Sequence, residues 1–425
     1  MHALLHGTRR SLATPSRNPR MAVVIGRLLG IAFIVCFLTG LYSHFLQDPL
    51  PWMVFPTRPI WLYQVSQGIH ITAGIACFPL ILAKLYIVFP DLFQSPPVRS
   101  FTHFLERASI ALFVAASLVQ ITIGLLNTFQ FYSLFPFAFR QTHYALSFVI
   151  IGSLAIHIAV KLDIISRHWR KRDSAPRVPR TLTVASSSEA ASDQAASPQA
   201  ADVAGSGTRG LTGRVFAWID SAPQPEPRAS RRGFLVTVAI AVGTVVTLTA
   251  GQSFRILDGT NLFAPRKKDI GPNAVPVNRT ARAAKVLESA VDPAWVLTVS
   301  NGTTARVYTY DDLRAMQQYD VELPISCVEG WSQMASWRGP RLRDLVDSVG
   351  GDPGARITAT SLEQGSIYAV MDMGPEFVRD ELTLVALQLN GAPLDIDHGY
   401  PARMIAPARP GVLQTKWLSS IEVVA

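Results

Sequence analysis

The chain has 425 residues, of which 49% are hydrophobic and only 16% are charged. Soluble domains average about 25% charged residues, so this composition indicates that part of the chain lies in lipid, and it excludes both a disordered protein and a purely cytosolic enzyme. Three cysteines are too few to staple a fold of this size, which excludes a disulfide scaffold.

The net charge of +9 is unevenly distributed along the chain. Residues 270–425 hold 13 Lys and Arg against 18 Asp and Glu, whereas the rest of the chain holds 26 basic against 12 acidic residues. Nucleic-acid binding needs a basic face on a folded domain, and here the basic residues flank apolar runs instead. We therefore expect no nucleic-acid partner and interpret the positive residues as marking the cytoplasmic side of a membrane.

Four apolar stretches before residue 170 are each close to the ~20 residues that a bilayer requires. They predict an all-α four-helix bundle in the membrane at 22–170, with helices at Ala22–Leu46, Gly68–Pro90, Ala108–Phe129 and Tyr144–Ile165. Basic residues precede the first stretch and follow the second and the fourth. The basic tail at 1–21 and the chain after the fourth helix are therefore expected in the cytoplasm.

Residues 171–229 are rich in Ala, Ser, Pro and Gly, a composition typical of a flexible linker, which is expected in the cytoplasm. A fifth apolar run, Phe234–Ala250, follows Ser230-Arg-Arg-Gly-Phe-Leu235, which resembles the twin-arginine signal of bacterial export. Segment 230–251 is therefore predicted to be a fifth transmembrane helix that is recognised by the twin-arginine translocase. It would carry the following domain to the extracytoplasmic side of a bacterial cytoplasmic membrane. An ordinary basic stop before a membrane span is the alternative.

Ionisable residues inside membrane helices are rare and are candidate functional groups by default. Five histidines lie in or beside the predicted helices, namely His44, His70, His103, His143 and His157. His143 and His157 are 14 residues apart on one helix, which places them about 21 Å apart along its axis and within about 40° of one face. Two haem irons stacked across a membrane, each bound by an imidazole from either side, require such a separation.

Helix direction predicts the partner of His143. The second helix runs inward, so His70 is expected near the outer surface at the depth of His143, and this pair is the favoured ligand set for an outer haem. His44, at the outer end of the first helix, competes for the same iron.

The inner pair is less complete. The second helix carries Lys84 where a histidine would be needed, so His103 is the nearest imidazole for His157. Interfacial or hydrogen-bonded core histidines are the alternative interpretation. The spacing resembles that of the four-helix di-haem cytochrome b subunits that anchor periplasmic dehydrogenases, and this resemblance implies one or two haem b groups.

After Ile270 the pattern changes to short strands separated by turns, which predicts an α+β domain at 270–425. The predicted strands are Trp295–Ser300, Ala305–Tyr310, Ile357–Ser361, Ile367–Met371 and Ile421–Val424. The predicted helices are Asp311–Gln318, Leu342–Val349 and Pro375–Glu381, and Asn390-Gly391 is a predicted turn.

Cys327 is the single cysteine of this domain and lies in Leu323-Pro-Ile-Ser-Cys-Val-Glu-Gly-Trp-Ser332, which is followed by Trp337-Arg-Gly339. A buried core cysteine is one interpretation. The small and polar neighbours are atypical of a core strand, however, and a thiolate is a soft ligand that suits a metal ion.

Further motifs follow in a fixed order, namely Leu389-Asn-Gly-Ala-Pro-Leu394, His398-Gly-Tyr-Pro-Ala-Arg403, Gly411 and Lys416-Trp417. Together with the cysteine motif they resemble the molybdopterin-binding domain of the sulfite oxidase family over most of Trp295–Ala425. The resemblance implies an α+β fold of that type, with molybdopterin as the cofactor.

By the same resemblance, Cys327 would ligate molybdenum, and His398, Arg403 and Lys416 would contact the pterin or its phosphate. The backbone around Gly330-Trp331 and Gly399 would approach the cofactor closely. Arg338 would either face a substrate oxyanion or be a solvated loop charge.

Together the two halves predict a membrane-anchored molybdenum oxidoreductase. It would transfer an oxygen atom to or from a small oxyanion or an S- or N-oxide outside the membrane, and exchange electrons with the quinone pool through haem b. One alternative is a sulfoxide reductase driven by quinol. A non-catalytic ligand-binding anchor or sensor is the other, and Cys327 speaks against it because a binding protein needs no thiolate there.

Overall fold

The computed structural model describes residues 17–89, 98–129, 131, 137–169, 230–250, 253–260, 262 and 266–424. The predicted linker at 171–229 and most of the predicted basic tail at 1–21 lie outside these residues.

Five long helices are present where the sequence predicts them. They are α1 (Pro19–Gln47), α2 (Leu62–Val88), α3 (Phe101–Thr128), α4 (Phe139–Trp169) and α5 (Arg231–Thr249). Each is long and apolar enough to cross a membrane. Polar side chains cap three of them, since Asn18, Ser100 and Ser230 each accept a hydrogen bond from a backbone N–H of the first turn.

Neighbouring helices pack as pairs, α1 against α2 and α3 against α4, while α5 packs on α2. The shared apolar core includes Ile25, Phe33, Ile81 and Phe113. The rings of Phe33 and Phe113 meet edge to face with centres 5.2 Å apart. The core that the helices share is therefore apolar.

The remaining chain forms an α+β domain with short helices α6 (Ala281–Ala284), α7 (Tyr310–Ala315), α8 (Leu342–Ser348) and α9 (Pro375–Val378). Its strands are β1 (Val296–Ser300), β2 (Ala305–Thr309), β3 (Tyr319–Ser326), β4 (Ser332–Gly339), β5 (Arg356–Ser361), β6 (Val370–Met373), β7 (Leu384–Ala386), β8 (Gln388–Leu389), β9 (Ala392–Pro393), β10 (Arg403–Ile405) and β11 (Leu418–Val424).

The strands form three sheets in the orders β2-β1-β11-β5-β6, β3-β4-β8-β9 and β10-β7. Only β1 and β11 pair in parallel, and this brings the end of the chain into the middle of the first sheet. Alternate residues of these strands point into the core, as Leu297, Val299 and Ile421 do.

Several local expectations need correction. The hairpin of β3 and β4 was not predicted, because Pro324, Ser326 and the polar residues of β4 interrupt the apolar alternation. β6 begins at Val370 rather than Ile367, and α7 and α9 are shorter than predicted. The Asn390-Gly391 turn is confirmed, with φ of +50° and +80°, the left-handed pair that a two-residue hairpin requires.

The α+β domain lies against the end of the bundle where α1 ends and α2 begins. Leu46 and Tyr63 are buried in the same hydrophobic cluster as the domain core. Arg58, between the two helices, donates two hydrogen bonds to Asp380, at 2.7 and 3.1 Å. The bundle and the domain therefore share an interface that is apolar at its centre and ion-paired at its rim.

Candidate active site

Cys327 lies in the turn that joins β3 to β4. Its N–H donates to the carbonyl of Trp331 at 2.8 Å, and its own carbonyl accepts from the N–H of Gly330 at 3.0 Å. Gly330 has a φ of +100°, which a side chain would disfavour. Trp331 is buried beside the turn. The hairpin thus presents the cysteine at its tip, in a tight loop.

The Cys327 side chain is 1% exposed. Burial raises the pKa of its thiol well above the ordinary value, and the nearby Glu329 carboxylate adds to this, while Arg266 and Lys416 act in the opposite direction. A thiol in such a place stays protonated unless a cation takes the place of the proton. A metal ion would supply that charge.

A cluster of three bases surrounds Gly399, and we call His398, Arg403 and Lys416 the basic cluster. A Cβ on Gly399 would lie 2.9 Å from that of Lys416 and 3.1 Å from that of Arg403, and its φ of +106° favours glycine. The absence of a side chain at Gly399 thus allows two cationic side chains to leave the backbone close together.

Arg403 is 2% exposed and donates only to carbonyls, to that of His398 at 3.0 Å and to that of Gln414 at 3.4 Å. Its Nε has no hydrogen-bond partner. Burial lowers the pKa of this guanidinium to about 9. A buried cation without a carboxylate partner is unfavourable, and an anion would compensate it.

The hydrogen bonds of Lys416 likewise go to neutral acceptors, although the carboxylates of Glu363 and Asp397 lie close enough to raise its pKa. Its Nζ donates to the carbonyls of Arg279 at 2.5 Å and Asp397 at 2.9 Å, and to Oδ1 of Asn278 at 3.2 Å. Burial first, and then the charge of Arg403, lower the pKa of Lys416 to about 7.

His398 donates from Nε2 to the carbonyls of Pro272 at 2.9 Å and Val275 at 3.1 Å. Burial, followed by the charges of Arg403 and Lys416, lowers its pKa to about 4, so the ring is neutral at pH 7. It therefore anchors the preceding segment and adds no positive charge to the cluster.

The donor set fits a phosphate-bearing cofactor. Besides Nε of Arg403, the buried Oγ1 of Thr415 and Oε1 of Gln414 have no hydrogen-bond partner. An anion with several acceptor oxygens would satisfy the guanidinium and the hydroxyl and would offset the charge of the cluster. The basic cluster would hold the phosphate of molybdopterin, and the Cys327 sulfur would bind its metal.

Arg338 lies apart from this site. It is on β4, half exposed, and donates to Asp320 of the neighbouring strand at 2.6 Å. It is not among the residues that line the cavity described next. The structure thus pairs this side chain with a surface carboxylate and does not bring it to Cys327.

A cavity of about 1410 Å³ runs between the domain and the bundle, and we call it the shared cavity. The domain lines it with residues that include Val328, Glu329, Glu363, Thr415 and Lys416. The bundle lines it with residues that include Cys36, Gly40, His44, His70 and His143. Lys416 and the two residues that follow Cys327 therefore face the same continuous space as the histidines of the bundle.

His70 and His143 lie on α2 and α4 with their ring centres 6.2 Å apart. An iron bound by two imidazoles, with metal–nitrogen distances of about 2 Å, holds the ring centres about 6 Å apart. Nδ1 of His70 donates to the carbonyl of Cys36 at 2.8 Å, which leaves Nε2 for a metal. Nδ1 of His143 is buried without a partner.

Glycines make room beside both rings. A Cβ on Gly40 would lie 2.8 Å from Cε1 of His70, and a Cβ on Gly124 would lie 3.5 Å from Cε1 of His143. The small residues and the ring separation fit a haem between these two helices.

The other three histidines have different surroundings. His44 stacks on Tyr144 with ring centres 3.7 Å apart, and His103 is partly buried and accepts from the N–H of Arg99. His157 has Lys84, Lys161 and Glu106 as its charged neighbours. In the part of the chain that the structure describes, no contact joins His103 to His157.

Some residues at the site were missed by sequence reasoning. Tyr63 and Gln67 of α2 reach Cys327 and Val328, and Ser253 reaches Gly330. Arg266 lies 3.8 Å from Glu329. The sequence shows only that a tyrosine and a glutamine lie at the end of an apolar stretch. Such residues are common at membrane interfaces, so their presence does not predict a contact with the Cys327 loop.

Comparison with known proteins agrees with this geometry. Residues 284–425 match the family described as the oxidoreductase molybdopterin binding domain. The chain is similar to the uncharacterized oxidoreductase YuiH of Bacillus subtilis, with 30% identity over 116 residues that make up 27% of this chain and 57% of YuiH. It is similar to mitochondrial sulfite oxidase of Drosophila melanogaster, with 30% identity over 156 residues, 30% of this chain and 26% of that protein.

A third relative is YedZ1 of Azospira oryzae, whose name proposes that it is a protein-methionine-sulfoxide reductase subunit. It is 27% identical over 116 residues, 27% of this chain and 43% of that protein. The chain thus spans little more than half of YuiH and smaller parts of the other two. Residues 284–425 are a molybdopterin-binding oxidoreductase domain of the type found in sulfite oxidases.

Proposed function

We propose that the protein is a membrane-anchored molybdenum oxidoreductase that transfers an oxygen atom to or from a small oxyanion or an S- or N-oxide. Electrons would be exchanged with membrane quinone through haem b. The observation that carries this proposal is the shared cavity, which is lined by the basic cluster's Lys416 on one side and by His70 and His143 on the other.

Each cofactor would supply a defined chemistry. When bound, molybdenum exchanges an oxygen atom and two electrons with a substrate, and haem iron exchanges single electrons. The chain's own residues bind, orient and shield these groups. Cys327 would hold the metal in a place that burial keeps free of bulk water, and the buried Arg403 with Lys416 would hold the phosphate.

The bundle would orient the haem. The Cys36 carbonyl keeps the proton of His70 on Nδ1 and fixes the ring, as the second hydrogen bond of a metal-binding imidazole commonly does. For the inner pair, His103 and His157 remain candidate ligands of a second haem. Nδ1 of His103 accepts from the N–H of Arg99 and His157 has charged neighbours, so that haem has less support than the outer one.

We also propose that the domain lies on the extracytoplasmic side of a bacterial cytoplasmic membrane and reaches it through the twin-arginine translocase. Arg231 and Arg232 are exposed at the start of α5, and Ser230 caps that helix. Replacing both arginines with lysine should leave the domain inside the cell. Protease protection in spheroplasts measures this, and digestion of the domain in the variant would contradict it.

The direction of electron flow has a second candidate, the reduction of sulfoxides by quinol. Within the described residues, the cations that act on Cys327 are Arg266, which lies beside Glu329, and Lys416, which belongs to the cofactor site. Arg266 and Lys416 are cations and do not favour a neutral S-oxide over an anion, so this candidate rests on the name of YedZ1.

Cofactor analysis of detergent-extracted full-length protein tests the proposal. Metal analysis should find one molybdenum per chain, and a pyridine haem spectrum should find one or two b haems. Protein without molybdenum or without haem would contradict it. With both present, oxidation of quinol on addition of a sulfoxide, or reduction of quinone on addition of sulfite, identifies the direction.

A further inference from the structure

The loop that carries Cys327 is tied to residues outside its own domain. The carbonyl of Val328 accepts a hydrogen bond from Nε2 of Gln67 at 3.1 Å. The carbonyl of Gly330 accepts one from the hydroxyl of Ser253, which follows α5. Two carbonyls of one tight loop are thus held from the membrane side.

Gln67 differs from Ser253 because the helix that carries it also carries a histidine that lines the shared cavity. Gln67 lies on α2 three residues before His70, so the two are neighbours on one helix face, about 4.5 Å apart along its axis. The position is closely packed, since Gly68 leaves just enough room for the ring of Phe254. α2 therefore contacts the metal-ligand loop with the same face that presents a histidine to the shared cavity.

The Gln67 side chain is a buried amide of which only the nitrogen makes a hydrogen bond. It is 6% exposed, and its Oε1 is buried without a hydrogen-bond partner while Nε2 donates to Val328. An apolar side chain of the same length would remove the unsatisfied Oε1 but would also take this donor away from the Val328 carbonyl. The amide is therefore a polar link between α2 and the loop, and it leaves one oxygen of its own unsatisfied.

We propose that Gln67 is a positioning residue that couples the two redox sites, a role that rests on the proposed function. Its hydrogen bond joins the helix of His70 to the residue next to Cys327. An electron can thus pass between His70 and Cys327 along covalent bonds and one hydrogen bond, without a step through space between two side chains. With both cofactors bound, this link would serve the exchange of single electrons between them, in which one cofactor is oxidised as the other is reduced and no atom moves.

The test uses the full-length protein with both cofactors in lipid nanodiscs. The haem is reduced by a light pulse, and its absorbance reports the rate at which the electron leaves for molybdenum. Gln67→Met keeps the length of the side chain and removes the donor, and Gln67→Asn keeps the amide but is too short to reach Val328. Ser253→Ala is the matched control, because it removes the other tether of the loop.

Both Gln67 variants should slow the transfer at least tenfold, with the haem spectrum and haem potential unchanged, whereas Ser253→Ala should stay within twofold of the unaltered protein. An unchanged rate in the Gln67 variants would overturn the proposal. So would an equal loss in Ser253→Ala, or loss of a cofactor from both Gln67 variants, since each would mean that the tether only supports the loop. If the unaltered protein lacks a cofactor or shows no transfer, the proposed function fails instead.

Discussion

The rings of His70 on α2 and His143 on α4 stand 6.2 Å apart, with their planes inclined by 66°. Two imidazoles in direct hydrogen-bond contact would be closer, and two unrelated ones need not face each other at all. The separation lies in the range of edge-to-face ring contacts, and it also matches what the proposed haem iron would require with metal–nitrogen distances of about 2 Å.

Replacing His143 with alanine should lower the haem content by one equivalent per chain, because one axial ligand is lost. Gly40→Val should do the same, since a side chain there would collide with the ring of His70. The pyridine haem spectrum of purified protein measures both. His103→Ala is the control for the outer haem, and full haem content in His143→Ala would refute the assignment.

Replacing Cys327 with serine should abolish retention of molybdenum, because a hydroxyl is a harder and far less acidic ligand than a thiol. Turnover should fall at least about 100-fold, the upper range for residues that only support a ligand. The molybdenum-to-haem ratio of the purified variant measures the loss. Haem content should not change, so an equal loss of both metals would indicate misfolding and not the loss of a ligand.

Arg403→Met should have opposite effects on the two forms of the protein. In the cofactor-free form it removes a buried charge without a carboxylate partner, so thermal stability should stay equal or rise, by up to about 1–3 kcal/mol. In the presence of cofactor it removes a phosphate contact, so pterin retention should fall.

Arg409→Met is the matched control for Arg403→Met. Arg409 is also buried, and burial lowers its pKa to about 10, but its guanidinium contacts the Asp372 carbonyl and the Phe377 ring, whereas that of Arg403 donates to His398 and Gln414. Its replacement should leave pterin retention unchanged. Fluorescence assay of released pterin and thermal unfolding of both forms distinguish the two arginines, and equal pterin loss in both would contradict the assignment of Arg403.

The stability of the cofactor-free protein should rise between about pH 7 and pH 9. Lys416 releases its proton near pH 7 in the folded protein, because its pKa is lowered to about 7, whereas the unfolded chain keeps that proton to much higher pH. The unfolded state thus binds more protons in this window, so stability increases with pH.

Lys416→Met should flatten this rise, which thermal unfolding from pH 6 to pH 9 measures. From about pH 8 the ionisation of Cys327 in the unfolded chain acts in the opposite direction, because an unfolded thiol has a pKa of about 8.5 and burial raises that of the folded thiol. A rise of the same size in Lys416→Met would assign the effect to other groups.

Arg338→Gln should change turnover less than about twofold and stability by less than about 0.5 kcal/mol, since its half-exposed side chain pairs with Asp320 on the surface. Kinetics with either class of substrate measure this. A drop of tenfold or more would restore the hypothesis that Arg338 faces a substrate oxyanion.

The sequence by itself determined the local features of this protein. The length and apolarity of five stretches predicted five helices, because a chain that spans a bilayer must satisfy its backbone within each segment. The order of motifs around Cys327, His398 and Lys416 predicted the cofactor domain, and Asn390-Gly391 predicted its own turn. Each of these depends on residues that are close together in the chain or on a pattern with fixed order.

Only the tertiary structure decided which groups meet. Gln67 and Val328 are 261 residues apart, and no local pattern indicates that a membrane helix donates to the loop of a metal ligand. The same holds for Arg338, for which the motif left open a substrate contact or a solvated charge, and which pairs with Asp320 of the neighbouring strand. Contacts between distant segments depend on packing and register, and these are properties of the folded chain that periodicity and composition do not encode.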